Sequence, residues 1–363
     1  MYEEMAKLIV KDALRIKSSD VVSILTFPHT VDAANAIAIE CFKQGADAML
    51  VLWTDDYYYG QLEHLSEDSL KEPSKFCQAL TEAVTAQVNM FGLEDPDGLK
   101  KISYSKSAAW NEGERRAHFP RGQERKIRTA NLTLPLVTKA RAKTYGFNFG
   151  AWKKAVDEAT TADLKEISQK CHRVASSLEK ANDVRITAPN GTDLTFELAG
   201  RPVHIDDGII DEDDIANNSL ETQLPTGFVQ TTVVESSANG KIFFDLPLQA
   251  LGVNVVDLEW GFKEGRLTSM MARKNIESLA TEMQSATGDK DIIAFLGIGL
   301  NRKAKQGFMM NNIVEGAVTI GVGDNEALGG QNKSPYGAAA TIGEATLEID
   351  GKAIVKAGRL VEE

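Results

Sequence analysis

The residues best placed to do chemistry lie in the last third of the chain, in a series of glycine-rich strings. Gly297-Ile-Gly299-Leu-Asn301 is followed by Glu315-Gly316, by Gly323-Asp324-Asn325 and by Gly329-Gly330-Gln-Asn332-Lys-Ser334. As nucleotide motifs these strings fail. Gly297-Ile-Gly299 and Gly321-Val-Gly323 each stop short of G-x-G-x-x-G and open no helix, so a dinucleotide site is not expected. Gly330-Gln-Asn-Lys333-Ser334 ends like a phosphate loop without Walker A spacing and reads better as a tight turn. No G-x-S-x-G elbow presents a serine nucleophile. His29, His64, His118, His172 and His204 are scattered and all precede these strings, which leaves a histidine-based catalytic metal site there without support. The acidic run Asp206-Asp207, Asp211-Glu212-Asp213-Asp214 lacks the spacing of a calcium loop and is expected to be a solvated loop.

Composition narrows the function further. The 363 residues suffice for two domains with separate cores. A net charge of -12 and a pI near 5.1 argue against nucleic acid as a partner, because phosphate binding needs clustered Lys and Arg. The one basic stretch, Arg115-Arg116 to Arg128, is diluted by Glu112, Glu114 and Glu124 and is expected to be a solvated face or an interdomain loop. No apolar run is long enough to span a bilayer and no secretory signal is visible, so a cytoplasmic protein without membrane contact is expected. Cys41, Cys77 and Cys171 form no CxxC pair; Cys41 and Cys171 fall on apolar helix faces and are expected to be buried thiols.

The elements that must position these residues change character midway. In the first half, strands Val21 to Thr26 and Ala48 to Trp53 alternate with helical stripes such as Ala34, Ile37, Ala38 and Cys41, and a helix near Ser74 to Ala86 precedes a strand near Val88 to Phe91. That alternation predicts a mainly parallel sheet covered by helices. Leu164, Ile167, Cys171, Val174 and Leu178 make a linking helix after a capping-box match at Thr160-x-x-Asp163. Beyond it, hairpins at Pro189-Asn190-Gly191 and Asp350-Gly351 mark a β-rich domain with one helix near Ala272 to Ala286. The expected architecture is an α/β domain over residues 1–183 and an α+β domain rich in antiparallel strands over 184–363. The cleft is expected in the second domain and at the interface between the two.

The order and spacing of the small motifs resemble one family along most of the chain. Arg201-Pro202, Asp206-Asp207-Gly208, Leu224-Pro225-Thr226-Gly227, Glu235-Ser236-Ser237-Ala238-Asn239-Gly240 and Phe262-Lys263-Glu264-Gly265-Arg266 lead into the glycine strings above. Together they resemble the aminopeptidase T, or leucyl-aminopeptidase-like, metallopeptidases. The resemblance implies a homodimer and a centre of two divalent metal ions that trims residues from peptide N-termini. At the positions where it implies metal ligands, this sequence has Phe228, Phe295, Asn312, Thr319, Tyr336 and Ala338. Phenylalanine and alanine offer no donor atom, and threonine and asparagine offer weak neutral ones, so no bound metal is expected.

Three functions follow. The first is a non-peptidase that binds a peptide-like or small aromatic ligand in a cleft remodelled by Phe228, Phe295, Asn312, Thr319 and Tyr336, with apolar walls and a few polar groups to fix it. The second is a metal-independent enzyme in which Tyr336 and Thr319 are catalytic and Asn312 assists, the tyrosine being activated by Lys333 or Lys305. The third is an active metalloaminopeptidase with relocated ligands. The two phenylalanines can equally fill the space as core.

Overall fold

Each strand–helix alternation of the first half becomes a parallel pair in the computed structural model, which describes residues 2–250 and 252–361. By internal contact the chain divides into Met1–Thr161 with Gly208–Pro225, and Ala162–Asp207 with Thr226–Glu363. In the first unit β1 (Val21–Thr26), β2 (Asp47–Leu52), β3 (Ala86–Asn89), β4 (Arg128–Leu132) and β8 (Glu221–Leu224) form one sheet in the order β2-β1-β3-β4-β8. Every neighbouring pair is parallel. The helices α1 (Val31–Lys43), α2 (Lys75–Ala83) and α3 (Tyr104–Arg125) belong to this unit. Parallel sheets are usually apolar on both faces, and here one face is not. Val22, Ile24, Val88 and Ala130 are buried on one side, whereas the register aligns Ser23, Gln87 and Thr129, then Leu25, Asn89 and Asn131, on the other.

Every pair of neighbouring strands in the sheets of the second unit is antiparallel. The strands β5 (Asp183–Thr187), β6 (Asp193–Glu197), β10 (Asn239–Phe244), β13 (Leu258–Lys263), β14 (Arg266–Met271), β18 (Thr346–Ile349), β19 (Lys352–Lys356) and β20 (Arg359–Leu360) make an eight-stranded sheet. A ribbon pairs β11 (Leu248–Ala250) with β12 (Val253–Val255). The five-stranded sheet that carries the glycine strings has the order β17-β16-β15-β9-β7, from β7 (Val203–Asp206), β9 (Phe228–Thr232), β15 (Ile293–Gly299), β16 (Val318–Gly323) and β17 (Gly337–Ile342). One core joins these sheets: Val229, Leu296 and Ile320 from the five strands, Ile186, Ile242 and Trp260 from the eight, and Cys171 and Leu178 from α4 (Leu164–Leu178). At the Asp350-Gly351 hairpin both turn residues have positive φ, 48° and 78°, the backbone a tight two-residue β-turn requires.

Several expectations are revised. The apolar stripe of α4 packs in the second core, so by contact the units separate at residue 161 and again around 207 and 225, not once near 183. The capping box is displaced. Thr160 donates back to the Val156 carbonyl at 2.7 Å, and Asp163 is the N-cap, accepting from the Lys165 and Glu166 amides. Of the two expectations for the basic stretch, the solvated face holds and the loop does not: up to Arg125 it lies in α3 with Arg115 and Arg116 exposed, and Arg121 is clamped to Glu82 at 2.6 and 2.9 Å. The acidic run is partly structural, since Asp211 caps the short helix Glu212–Ala216. All three cysteines are reduced and buried. No helix among the described residues is long and apolar enough to cross a membrane.

Candidate functional site

The geometry of the glycine-rich region follows from strand alternation. Directly opposed residues in antiparallel strands point to the same face. Phe228 pairs with Gly299, Gln230 with Gly297, and Thr232 with Phe295. Gly297 in turn faces Thr319, and Phe295 faces Gly321. Thr319 faces Thr341, Gly321 faces Ala339, and Gly323 faces Gly337. This row is one face of the sheet; Val229, Leu296, Ile298, Val318 and Val322 on the other enter the core.

On that face glycines and phenylalanines interlock. A Cβ at Gly297 would stand 2.1 Å from Phe228 Cζ, and one at Gly321 would stand 2.2 Å from Phe295 Cε1. The two rings therefore lie directly on the strands beside them, Phe228 buried and Phe295 half-buried. The Thr319 and Thr341 hydroxyls are 3.0 Å apart and buried. Asn312 sits in the single turn Asn311–Ile313, its carbonyl oxygen 2.5 Å from the position of a Cβ on Gly299, at the end of β15.

Tyr336 and Ala338 do not join this group. Ala338 opposes Val322, whose side chain is in the core, and Tyr336 is itself part of the core cluster. The face-sharing residues of β17 are Gly337, Ala339 and Thr341, one position out of phase with the sequence expectation. The structure thus brings Phe228, Phe295 and Thr319 together, places Asn312 at their edge, and turns Tyr336 and Ala338 away. Of the two expected activating cations, Lys333 is engaged elsewhere, its Nζ 2.9 Å from Glu326. With either phase of β17, this set does not suit a pair of divalent ions: hydrocarbon rings, glycine and alanine supply no anionic donor to offset dehydration of the metal.

The polar members of the glycine strings serve the fold. Asn332 Nδ2 donates to the Ile293 and Gly323 carbonyls, both at 2.9 Å, and its amide donates to Asn325 Oδ1 at 2.8 Å. Asn325 donates to the Ala294 carbonyl at 3.1 Å, and Glu235 accepts from the Gln331 amide at 2.8 Å while pairing with Arg201. Asn301 donates to the Thr226 carbonyl at 2.8 Å and accepts from the Lys303 amide. Each satisfies backbone groups that would otherwise be buried unpaired.

Two features escaped the sequence reading. The first is His204-Ile-Asp206 on edge strand β7, where His204 opposes Gln230 and Asp206 opposes Phe228 on the face just described. The x-spacing on a strand was the available signal. His204 Nε2 is 3.0 Å from the Leu328 carbonyl oxygen, and Asp206 accepts from Thr226. The second is in the first unit. A cavity of about 520 Å³ lies between the polar face of the parallel sheet and α2 and α3. Gln87, Asn89 and Asn131 line it from the sheet; Trp53, Phe91 and Trp110 form an aromatic wall. Asn89 Nδ2 donates to Asn131 Oδ1 at 2.9 Å. Cys77, Glu114 and His118 also line this cavity, and they are the one group of three metal-competent donors found among the described residues. Hydrogen bonding to Cys77 and then to Glu114 pushes the His118 imidazole up to about 9.

Comparison with known proteins supplies a family and two solved folds. The family described as thermophilic metalloprotease (M29) matches residues 1–292, ending immediately before β15 and the segment that holds Phe295, Asn312 and Thr319. Wild-type AmpT from Thermus thermophilus superposes with a TM-score of 0.76 at 18% identity, covering 99% of each chain. A 2,5-dihydroxypyridine dioxygenase from Pseudomonas putida KT2440 superposes with a TM-score of 0.68 at 16% identity, covering 100% of this chain and 97% of the other. At these identities the solved structures share the fold. No curated protein matches the chain.

Proposed function

The chain belongs to the thermophilic metalloprotease (M29) family, and from that premise we propose that it is a member without metallopeptidase chemistry, which binds a small aromatic or peptide-like ligand on the Phe228–Phe295–Thr319 face. The observation that carries this reading is the seating of the two phenylalanine rings on Gly297 and Gly321. Aromatic rings occupy the face from which anionic ligands would reach a metal, and the two polar side chains beside them on β7 have protein partners, His204 at the Leu328 carbonyl and Asp206 at the Thr226 hydroxyl. What remains is an apolar platform with a half-exposed ring at Phe295, flanked by Asn312, Gln230 and the Thr319–Thr341 hydroxyl pair. That composition suits orientation of a flat ligand. The occurrence of one fold in AmpT and in a dihydroxypyridine dioxygenase is consistent with a scaffold that takes different ligands.

Metal-independent catalysis by Tyr336, Thr319 and Asn312 is the weaker reading, because Tyr336 points into the core and Thr319 to the opposite face. A homodimer, as the family resemblance implies, is supported by large apolar side chains exposed at one edge of the first unit, Ile39 and Phe42 of α1 and, on the two faces of edge strand β2, Met49 and Leu52.

The test has two arms. Purified protein is assayed on leucine p-nitroanilide and on a leucine-initiated tripeptide with added zinc, cobalt or manganese; no turnover above metal alone is expected, and turnover would overturn the reading. Binding of phenylalanyl dipeptides and of dihydroxypyridine is then measured by thermal shift. A shift that disappears in Phe295→Ala supports the platform, and no shift with either probe class counts against it.

A further inference from the structure

We propose that Cys77, Glu114 and His118 form a mononuclear site for a borderline-soft divalent cation of the zinc class, its open coordination position facing the cavity of the first unit. The donor atoms of the three side chains all lie within 4.8 Å of one another. Tetrahedral zinc holds sulfur at about 2.3 Å and nitrogen or oxygen at about 2.0–2.2 Å, so ligand atoms around it stand roughly 3.3–3.8 Å apart. Small rotamer adjustments close the present cluster onto an ion. Glu114 and His118 stand four residues apart on α3, one above the other on the same helix face, with Glu114 Oε2 3.4 Å from His118 Nε2. Cys77 is presented from α2 and supplies the soft donor that favours zinc over magnesium or calcium.

A second observation, independent of this proximity, points to a ligand. Thr81 Oγ1 lies 2.8 Å from the Cys77 carbonyl and 3.2 Å from His118 Nδ1. A hydroxyl has one proton, and the carbonyl can only accept it. The Thr81 oxygen must therefore accept from Nδ1–H, which leaves Nε2 as the nitrogen that faces Glu114, where a metal ion would take the place of the proton held between them. A metal-binding histidine needs this arrangement: one nitrogen held by an outer partner, the other free to coordinate. The same Thr81 hydroxyl also ties the histidine to the backbone of the cysteine ligand. Three protein donors with a fourth position open to a cavity is the coordination pattern of a reactive zinc site, whereas structural sites are closed by four protein ligands. The aromatic wall of Trp53, Phe91 and Trp110 and the amides of Gln87, Asn89 and Asn131 line the same cavity.

The probe is the metal itself, on the full-length protein. After loading with zinc and exhaustive dialysis, elemental analysis is expected to find one zinc per chain. Cobalt substitution is expected to give a tetrahedral visible spectrum with a thiolate-to-cobalt charge-transfer band, a signature that needs no variant. Thr81→Val removes the outer partner and is expected to weaken zinc binding about 10- to 100-fold, with Cys77→Ser and His118→Gln weakening it by at least as much. Circular dichroism checks that each variant is folded. A cobalt protein without the charge-transfer band, or stoichiometric zinc retained in Cys77→Ser, overturns the site. The Phe228–Phe295 reading stands or falls separately: its binding arm is read through Phe295→Ala in the other unit, and any peptidase turnover with added zinc is assigned by whether it survives Cys77→Ser.

Discussion

Replacing Gly297 by alanine tests directly whether the Gly-x-Gly string exists to seat an aromatic ring. The added Cβ would stand 2.1 Å from Phe228 Cζ and 2.5 Å from Cε2, whereas ordinary contact begins near 3.4 Å. The ring must therefore retreat by about 1.3 Å inside a packed sheet, an overpacking strain of about 1–3 kcal/mol. Against this, alanine restricts the unfolded chain and contributes about 0.4–1 kcal/mol of stability where the backbone accepts it. The net expectation is a loss of about 0.5–2 kcal/mol. Phe228→Ala alone is expected to cost about 3–5 kcal/mol through the void it leaves. In the Phe228→Ala background, however, the Gly297 change meets no ring and becomes neutral or slightly stabilising. A double-mutant cycle should then give a coupling of about 1–3 kcal/mol that favours the pair. Urea unfolding followed by near-UV circular dichroism measures it. Additivity within about 0.5 kcal/mol would refute the seating of Phe228 on Gly297, and with it the argument that rings occupy this face.

Other expectations follow from single contacts. Burial alone would raise the Asp20 carboxyl, but the Lys17 amide, the Thr85 hydroxyl and the Arg128 guanidinium outweigh it and hold the group below 3.8. Its contribution is thus complete above about pH 4 and is lost as pH falls through the lowered value; Asp20→Asn should flatten that acid limb of the stability profile and cost about 3–5 kcal/mol near neutrality by stranding Arg128. Asn332→Ala leaves the Ile293 and Gly323 carbonyls without their donor and should cost about 2–4 kcal/mol in thermal or urea unfolding. Burial, then the charges of Glu40 and Asp20, pushes the Cys41 thiol up to about 11, and burial with Asp207 and Asp206 raises Cys171 as well. Neither should react with iodoacetamide at pH 8 in the native protein, and mass spectrometry showing rapid labelling of either would contradict that burial. Light scattering on the eluting protein should find a dimer, and exchanging Phe42 and Met49 for lysine should shift it towards monomer if the apolar edge of the first unit is the interface.

Much of the architecture was legible because it is written in local periodicity. Alternating apolar runs and helical stripes placed β1, β2 and β3, α1 and α4, but not β4 or β8, and the Asp350-Gly351 turn was readable from the positive φ its residues tolerate. Boundaries were less legible where two local solutions compete. Thr160 and Asp163 are both able to cap, and the side chain that reaches the new helix's amides decides. The residues that fill the presumed metal positions were visible as types: Phe228, Phe295 and Thr319 carry no anionic donor whatever the fold.

By itself the sequence determined the family, the change from parallel to antiparallel architecture, and the absence of ligand chemistry at those positions, since composition and spacing are properties of the chain. Tertiary structure alone decided which of the positions meet. Strand phase is fixed by hydrogen-bond register with a neighbour, and a one-residue shift moves a side chain to the opposite face, which is why Tyr336 and Ala338 turn into the core while Gly337 and Ala339 line the platform. Likewise, Cys77 meets Glu114 and His118 only because α2 packs beside α3 over the polar face of the parallel sheet. No periodicity along the chain records that meeting, because it depends on the packing of elements far apart in sequence.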